Sequence, residues 1–466
     1  VARRAPQRST GSDYIPGTIA VTYRTTASTG AIDAAMHKVG GAMTAQLDFS
    51  RSALKTRVIS VDPSRTSEAL RELKSVPGIR SAIRLSYRHR MAVTSNDPYY
   101  DGFGPGAPYF QDSQNAGQWD MHVINIEGAW NDVASSGPVN GAPIAIVDTG
   151  VDLTHPELTG GKVIRARCFV TYPASSAQSS GPYVTDTDGH GTDVAGLADA
   201  NTNNAVGFAS AGFNAPLLAY RIFPSDPAGG CENSTSSQCS ASSADEASAI
   251  NDAVSNGAKV INLSLGYDPK GAACDPNDPE YIAVENAISH NVVVVAASGN
   301  EGNAALDCPA ADPGVIAVGA SAINDATTTI TEKVASYSNW VSGNNGGTYM
   351  VAPGGDPDSS DTSGSTTDYL HWIENIYSST AVQKGTCGAD LNATNGISDC
   401  RILIAGTSMA TPHVVGVVSL ILAVKPSYTP QQVAQALCTT ADEINDTKEG
   451  CGRINAAAAV EYAKTH

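Results

Sequence analysis

Beyond a polar, basic lead over residues 1–13, apolar and polar positions alternate in short runs. Period-two alternation predicts strands over 18–24, 54–61 and 79–88, with a weaker one around 44–49. Helical spacing of apolar positions predicts helices over 31–39 and 67–74, the second ending near Pro77-Gly78. The order β-α-β-β-α-β predicts a small α+β sandwich of ferredoxin-like type. Residues 92–108, rich in Gly, Pro, Asn, Ser and Asp, read as a linker.

From about Gly117 the pattern changes. Apolar runs over 143–147, 217–221, 259–265, 291–297 and 315–318 read as buried strands, and 190–200, 244–256 and 279–289 as helices between them. That alternation predicts an α/β architecture, a parallel sheet covered on both faces, whose chemistry sits at the carboxyl ends of its strands. Segments 225–243 and 355–401 read as surface insertions. The longest apolar stretches, 292–297 and 414–424, are shorter than a bilayer span and read as a buried strand and a buried helix, so no membrane association is expected. The chain opens at Val1 without the basic start and apolar run of a secretory leader, which for an exported protein would lie outside this sequence.

Composition narrows the function. The 466 residues carry a net charge of −18 with 16% charged residues, which excludes a disordered polyelectrolyte and argues against a nucleic-acid partner. The charge is unevenly spread. Residues 1–93 hold 15 Lys and Arg against 6 Asp and Glu, a net of +9, while the remainder holds 13 against 40, a net of −27. A basic arm on an acidic body reads either as a polyanion-binding tail or as a segment made to dock on its own chain. Of nine cysteines, eight form sequence-near couples: Cys231 with Cys239, Cys274 with Cys308, Cys387 with Cys400, and Cys438 with Cys451. Cys168 is left over. Zinc is the rival reading, but neither CxxC nor HxxxH spacing occurs, so disulfides and an oxidising compartment are expected.

Four polar residues stand at the ends of apolar strands or the starts of helices. Asp148 follows Ile144-Ala145-Ile146-Val147, His190 sits between glycines in Asp188-Gly189-His190-Gly191-Thr192, and Asn300 follows Ala297-Ser298-Gly299. Ser408 opens the apolar helix after Gly406-Thr407. Singly, each has a plain structural explanation: a turn, a surface histidine, a loop amide, a helix cap. Jointly they supply a carboxylate to orient an imidazole, a base near neutrality, a hydroxyl that needs one, and an amide donor for developing negative charge.

The pieces IVDTGVDLTHPEL, DGHGT, VINLSLG, VVVVAASGNEG, VIAVGA, VAPGG and GTSMATPH give the chain a resemblance to the subtilisin family over about residues 92–463. The resemblance implies a three-layer subtilisin-like fold and a secreted serine endopeptidase acting on proteins or peptides. Asp148 would orient, His190 act as base and then acid, and Ser408 attack, with Asn300 and the Ser408 N–H as oxyanion hole. It also implies substrate contacts at Leu263, Ser264, Leu265 and Gly266, and at Ala297, Ser298 and Gly299, with a pocket floor from 303–309. Pairing with substrate backbone would allow broad specificity. Residues 14–93 resemble a subtilisin-type propeptide, a folding aid and inhibitor, which favours the docking reading of the basic arm. The expected order is a lead (1–13), propeptide (14–93), linker and mature N-terminus (94–116) and catalytic domain (117–466), working as a monomer. Structural calcium is implied at Glu157 with Asn201 and Asn203 of the 201–207 loop; the Asp-rich stretch 356–368 is another candidate.

One position departs from the family pattern. Asp193 stands where a second histidine is usual, and either raises the His190 pKa or reflects the first-turn preference for Asp. A non-catalytic binding homologue would be expected to lose one of the four chemical residues, and none is lost. A lipase or esterase would need a G-x-S-x-G elbow, which the flanks of Ser408 do not provide.

Overall fold

A computed structural model describes residues 14–48, 54–86, 93–100, 118–171, 184–224, 240–324, 331–341, 348–357, 372–381 and 401–466. The chain divides into two compact units, Val1–Met91 and Ala92–His466.

The first unit runs β1 (Tyr14–Arg24), α1 (Thr29–Lys38), β2 (Ala42–Asp48), β3 (Leu54–Ser60), α2 (Thr66–Lys74) and β4 (Ile79–Ser86). Its sheet is antiparallel in the order β2-β3-β1-β4, the topology expected of a ferredoxin-like sandwich. Strand β1 starts earlier than its alternation suggests, because the register shifts between Tyr14 and Ile19 around Pro16 and Gly17 (φ +67°). Ile19, Val21, Ile32, Ile59 and Leu73 form the core, each fully buried and contributing roughly 1.5–3 kcal/mol.

The second unit opens with α3 (Trp119–Val123), α4 (Ile126–Ala134), β5 (Ile144–Asp148), β6 (Val163–Cys168) and α5 (His190–Asp199). Then follow β7 (Leu217–Arg221), α6 (Ser243–Ser255), β8 (Val260–Leu263), α7 (Pro279–Ser289), β9 (Val293–Ala297) and β10 (Ile316–Asn324). Strands β11 (Thr331–Val334), β12 (Thr348–Pro353), β13 (Ile373–Ile376) and β14 (Arg401–Ile404) precede three helices, α8 (Thr407–Val424), α9 (Pro430–Thr440) and α10 (Ala456–Thr465). The central sheet runs β11-β10-β9-β8-β5-β7-β6, with β12 also on β10. It is mixed rather than wholly parallel, since β11 pairs antiparallel with β10. Two apolar clusters pack against its two faces.

Helix ends follow side-chain chemistry. Ser242 caps α6 by accepting from the Asp245 N–H, Asp278 caps α7 ahead of Pro279, and Thr429 with Gln432 forms a capping box on α9. Helix α8 is apolar on all sides and long enough to cross a bilayer, but 83% of it is buried within the fold. Disulfides join Cys274 to Cys308 and Cys438 to Cys451, two of the four expected couples. Cys231, Cys239, Cys387 and Cys400 lie outside the described residues. Cys168 is a buried thiol at the end of β6.

Candidate active site

The ends of four elements converge on the chemical residues. Asp148 is the last residue of β5 and is almost wholly buried. Its Oδ1 accepts from His190 Nδ1 at 2.7 Å and from the Thr149 N–H at 2.7 Å, while Oδ2 is buried without a donor. His190 is the first residue of α5, delivered by Gly189 at φ +115°. A side chain at Gly191 would strike the Gly150 carbonyl, its Cβ 2.1 Å from the oxygen, so this turn admits only glycine. Burial lowers the imidazole's pKa, but the Asp148 charge and hydrogen bond outweigh it, with lesser help from Asp188 and Asp193, and the net direction is upward.

Asp186, which the sequence reading did not single out, organises this turn. It is fully buried and accepts from the Thr149 and Thr192 hydroxyls and from the N–H groups of Asp188, Gly189 and Thr192. A carboxylate two residues before the Asp188-Gly189 turn was the available signal.

Ser408 is the second residue of α8, after Gly406 at the cap. Its Oγ donates to the Ser264 carbonyl at 3.1 Å rather than to His190. Pro412, inside the same helix, cannot donate to the Ser408 carbonyl four residues back. The Ser264 hydroxyl fills that vacancy at 2.7 Å, tying the end of β8 to the start of α8. Asn300 follows β9, and its Oδ1 accepts from the Thr407 N–H at 3.0 Å and hydroxyl at 2.9 Å. With the oxygen so held, the Asn300 NH2 is the edge left to donate.

Leu263 is the buried last residue of β8, Ser264 is buried after it, and Leu265 is half-buried. Ala297 and Ser298 are buried, and Gly299 has φ +108°. Because β8 and β9 are parallel neighbours, Leu263–Gly266 and Ala297–Gly299 leave the same sheet edge side by side. Asp193 is fully buried, with no donor to either oxygen. Burial pushes its carboxyl up to about 8.

The metal candidates separate. Glu157 is buried, its Oε2 accepts from Asn204 Nδ2 at 3.0 Å, and its Oε1 has no donor. Asn201 turns its amide to the Pro156 and Thr159 carbonyls, and Asn203 lies exposed at φ +65°. Asp97, not named from the sequence, lies against this loop and accepts from the N–H groups of Asn203, Asn204 and Ala205. Burial raises Glu157 first and the Asp97 charge adds to it, against the Asn204 hydrogen bond, to about 8. A buried carboxylate with an orphaned oxygen, near a second carboxylate, fits a hard cation. Asp356 is instead engaged by Ser336 and Lys333; residues 358–368 lie outside the described residues.

The subtilase family profile matches residues 140–455, and that of the fervidolysin N-terminal prodomain matches 2–83. The chain is 32% identical over 453 residues to a thermophilic serine proteinase of Bacillus sp. (strain AK1), covering 96% of this chain and 88% of that one. It is 32% identical to thermitase of Thermoactinomyces vulgaris, covering 77% of this chain and all of thermitase. Among solved structures, fervidolysin of Fervidobacterium pennivorans superposes with a TM-score of 0.55 at 25% identity, over 98% of this chain and 62% of fervidolysin. The chain belongs to the subtilase family and is a subtilisin-like serine endopeptidase with an N-terminal prodomain.

Proposed function

We propose that the chain is the precursor of a secreted endopeptidase that cuts peptide bonds through an acyl-enzyme on Ser408. The observation that carries this reading is the 2.7 Å contact from Asp148 to His190 Nδ1, which leaves Nε2 as the basic nitrogen. Ser408 Oγ turns from the Ser264 carbonyl, gives its proton to His190 Nε2 and attacks the substrate carbonyl carbon. The resulting oxyanion takes hydrogen bonds from Asn300 and from the Ser408 N–H at the start of α8. His190 then protonates the leaving amine, and water releases the acyl group by the reverse sequence. Extended substrate lies along Leu263–Gly266 and Ala297–Gly299. An aryl or alkyl fluorophosphonate should label active protein once per chain, with the adduct on the Ser408 peptide by mass spectrometry. An adduct on any other serine overturns the assignment.

Residues 14–93 act in this reading as folding aid and inhibitor, with the opposite charges of the two parts speeding their association at low salt. Four disulfides and export go with it. Calcium held by Glu157, Asp97 and oxygens of the 201–207 loop supplies charge balance rather than chemistry. Without the ion, Glu157 titrates near 8 in the folded protein, against an ordinary value of 4.5. Its contribution to stability is therefore full below about pH 4.5 and gone above about 8, because between them the folded form holds a proton that the unfolded form has lost. Chelation should lower the melting temperature by roughly 5–10 °C at pH 9 and by less at pH 5, with calcium restoring it. Equal effects at both pH values would remove Glu157 from the site.

A further inference from the structure

The two segments proposed as substrate walls end in glycines, and one carboxylate lies between them. A Cβ at Gly299 would sit 2.7 Å from Asp307 Cγ, and a Cβ at Gly266 would sit 3.3 Å from Asp307 Cβ. The backbone fixes this placement. The Asp307 N–H donates to the Ser298 carbonyl at 3.0 Å. Next door, Tyr267 and Cys308 exchange two hydrogen bonds of 2.9 and 3.0 Å, and Cys308 is pinned by its disulfide to Cys274. Residues 307–308 thus touch both segments and bridge them.

The charge at that floor is unusual for a general apolar pocket. Asp307 is 7% exposed. Its Oδ1 accepts from Asn339 Nδ2 at 3.1 Å, and its Oδ2 has no hydrogen-bond donor among the described residues. The same Asn339 nitrogen donates to Glu301 Oε2 at 2.8 Å, so one amide serves two carboxylates. Asp268 brings a third negative charge, paired at 2.7 Å with the largely exposed Lys270. Burial, then Glu301 and Asp268, push the Asp307 carboxyl up to about 7, against the Asn339 hydrogen bond and the charge of Lys270.

We propose that Asp307 is the specificity-determining floor of the pocket for the residue on the acyl side of the scissile bond, and that this pocket takes lysine or arginine. The inference rests on the protease reading and narrows the broad specificity expected from backbone pairing. A long aliphatic stem would lie between Gly266 and Gly299, and its cationic head would meet the unpartnered Asp307 Oδ2. Glutamine would leave the same carboxylate buried without a counter-charge, and an aromatic ring would desolvate it outright. Arg88 and Arg90 then become the expected sites of self-cleavage, a few residues before the 93/94 boundary expected from the sequence.

The test is kcat/KM for one peptide carrying Arg, Lys, Gln, Leu or Phe before the cut, using active enzyme obtained from the full chain. Arg and Lys should exceed Gln by roughly 10- to 100-fold. In Asp307→Asn the Arg-to-Gln ratio should fall towards one. This ratio is independent of how much variant folds; Asp307→Ser serves if Asp307→Asn yields no soluble protein. A wild-type ratio near one, or a preference for Leu or Phe over both cations, overturns the proposal while leaving the protease reading intact. A preference for Arg that appears only after chelation also overturns it, because calcium would then own the carboxylates. No turnover of any peptide, together with no fluorophosphonate labelling, overturns the protease reading and this one with it.

Discussion

Ser408→Ala is expected to lower kcat by about 10⁶, the size of loss seen when subtilisin is stripped of its nucleophile, and to leave the precursor uncut. The loss would be chemical rather than structural. The Ser408 hydroxyl makes one hydrogen bond, to the Ser264 carbonyl, so its removal costs folding about 1 kcal/mol. The helix start keeps its Gly406 cap, and the Ser264 hydroxyl still serves the Ser408 carbonyl, because that bond uses backbone on the α8 side. Ala is also a better helix former than Ser. The variant should melt within a few degrees of the parent, reject the fluorophosphonate and retain residues 1–88 by N-terminal sequencing. Hydrolysis of casein at the parental rate would remove Ser408 from the mechanism. A processed N-terminus in pure variant protein would show that another protease makes the cut.

The residues proposed for catalysis were legible as candidates because they sit where strong local signals end. Asp148, Leu263 and Ala297 close fully buried strands, and His190 and Ser408 open helices, so each falls at a visible boundary, while the subtilisin resemblance supplied the roles. What stayed hidden depends on contacts between distant segments. Asp186 looks like one more loop aspartate until five donors converge on it. Asp97 lies over a hundred residues before the loop whose N–H groups it accepts. Asp307 acquires meaning only from Gly266 and Gly299, which come from different strand ends. Fold errors have the same origin. The apolar run of β10 ends at Val318, because Gly319, Ala320 and Ser321 break the series of large apolar side chains, yet β12 pairs along the strand as far as Ser321. Helices α3, α4, α9 and α10 leave no clear trace in the pattern, being short or rich in alanine.

Asp148→Asn should lower kcat by about 10⁴ with the fold intact, and the shape of its pH profile should say why. Two causes are open to an amide at this position. It could turn its NH2 towards His190 Nδ1, forcing the proton onto Nε2 and leaving no base for Ser408. Here the Thr149 N–H opposes that turn, because it donates to the same oxygen as the imidazole, 2.7 Å away. An inverted amide would set its NH2 against two donors, while the Oδ2 position, buried without a partner, would receive the NH2 without loss of an existing bond. The oxygen therefore keeps its place and the tautomer is preserved. What disappears is the negative charge that stabilises the imidazolium formed as Ser408 attacks. That charge is also the main cause holding the His190 pKa up. Since His190 must be neutral to accept a proton, activity rises with pH as it deprotonates. Lowering its pKa moves this acid limb to lower pH in the variant, even as the plateau falls. A kcat/KM profile from pH 4 to 10, with the melting temperature as a folding control, tests both parts. A drop of 10⁴ with the acid limb unmoved would show that the Asp148 charge does not set the His190 pKa, and a drop below tenfold would take Asp148 out of the catalytic set.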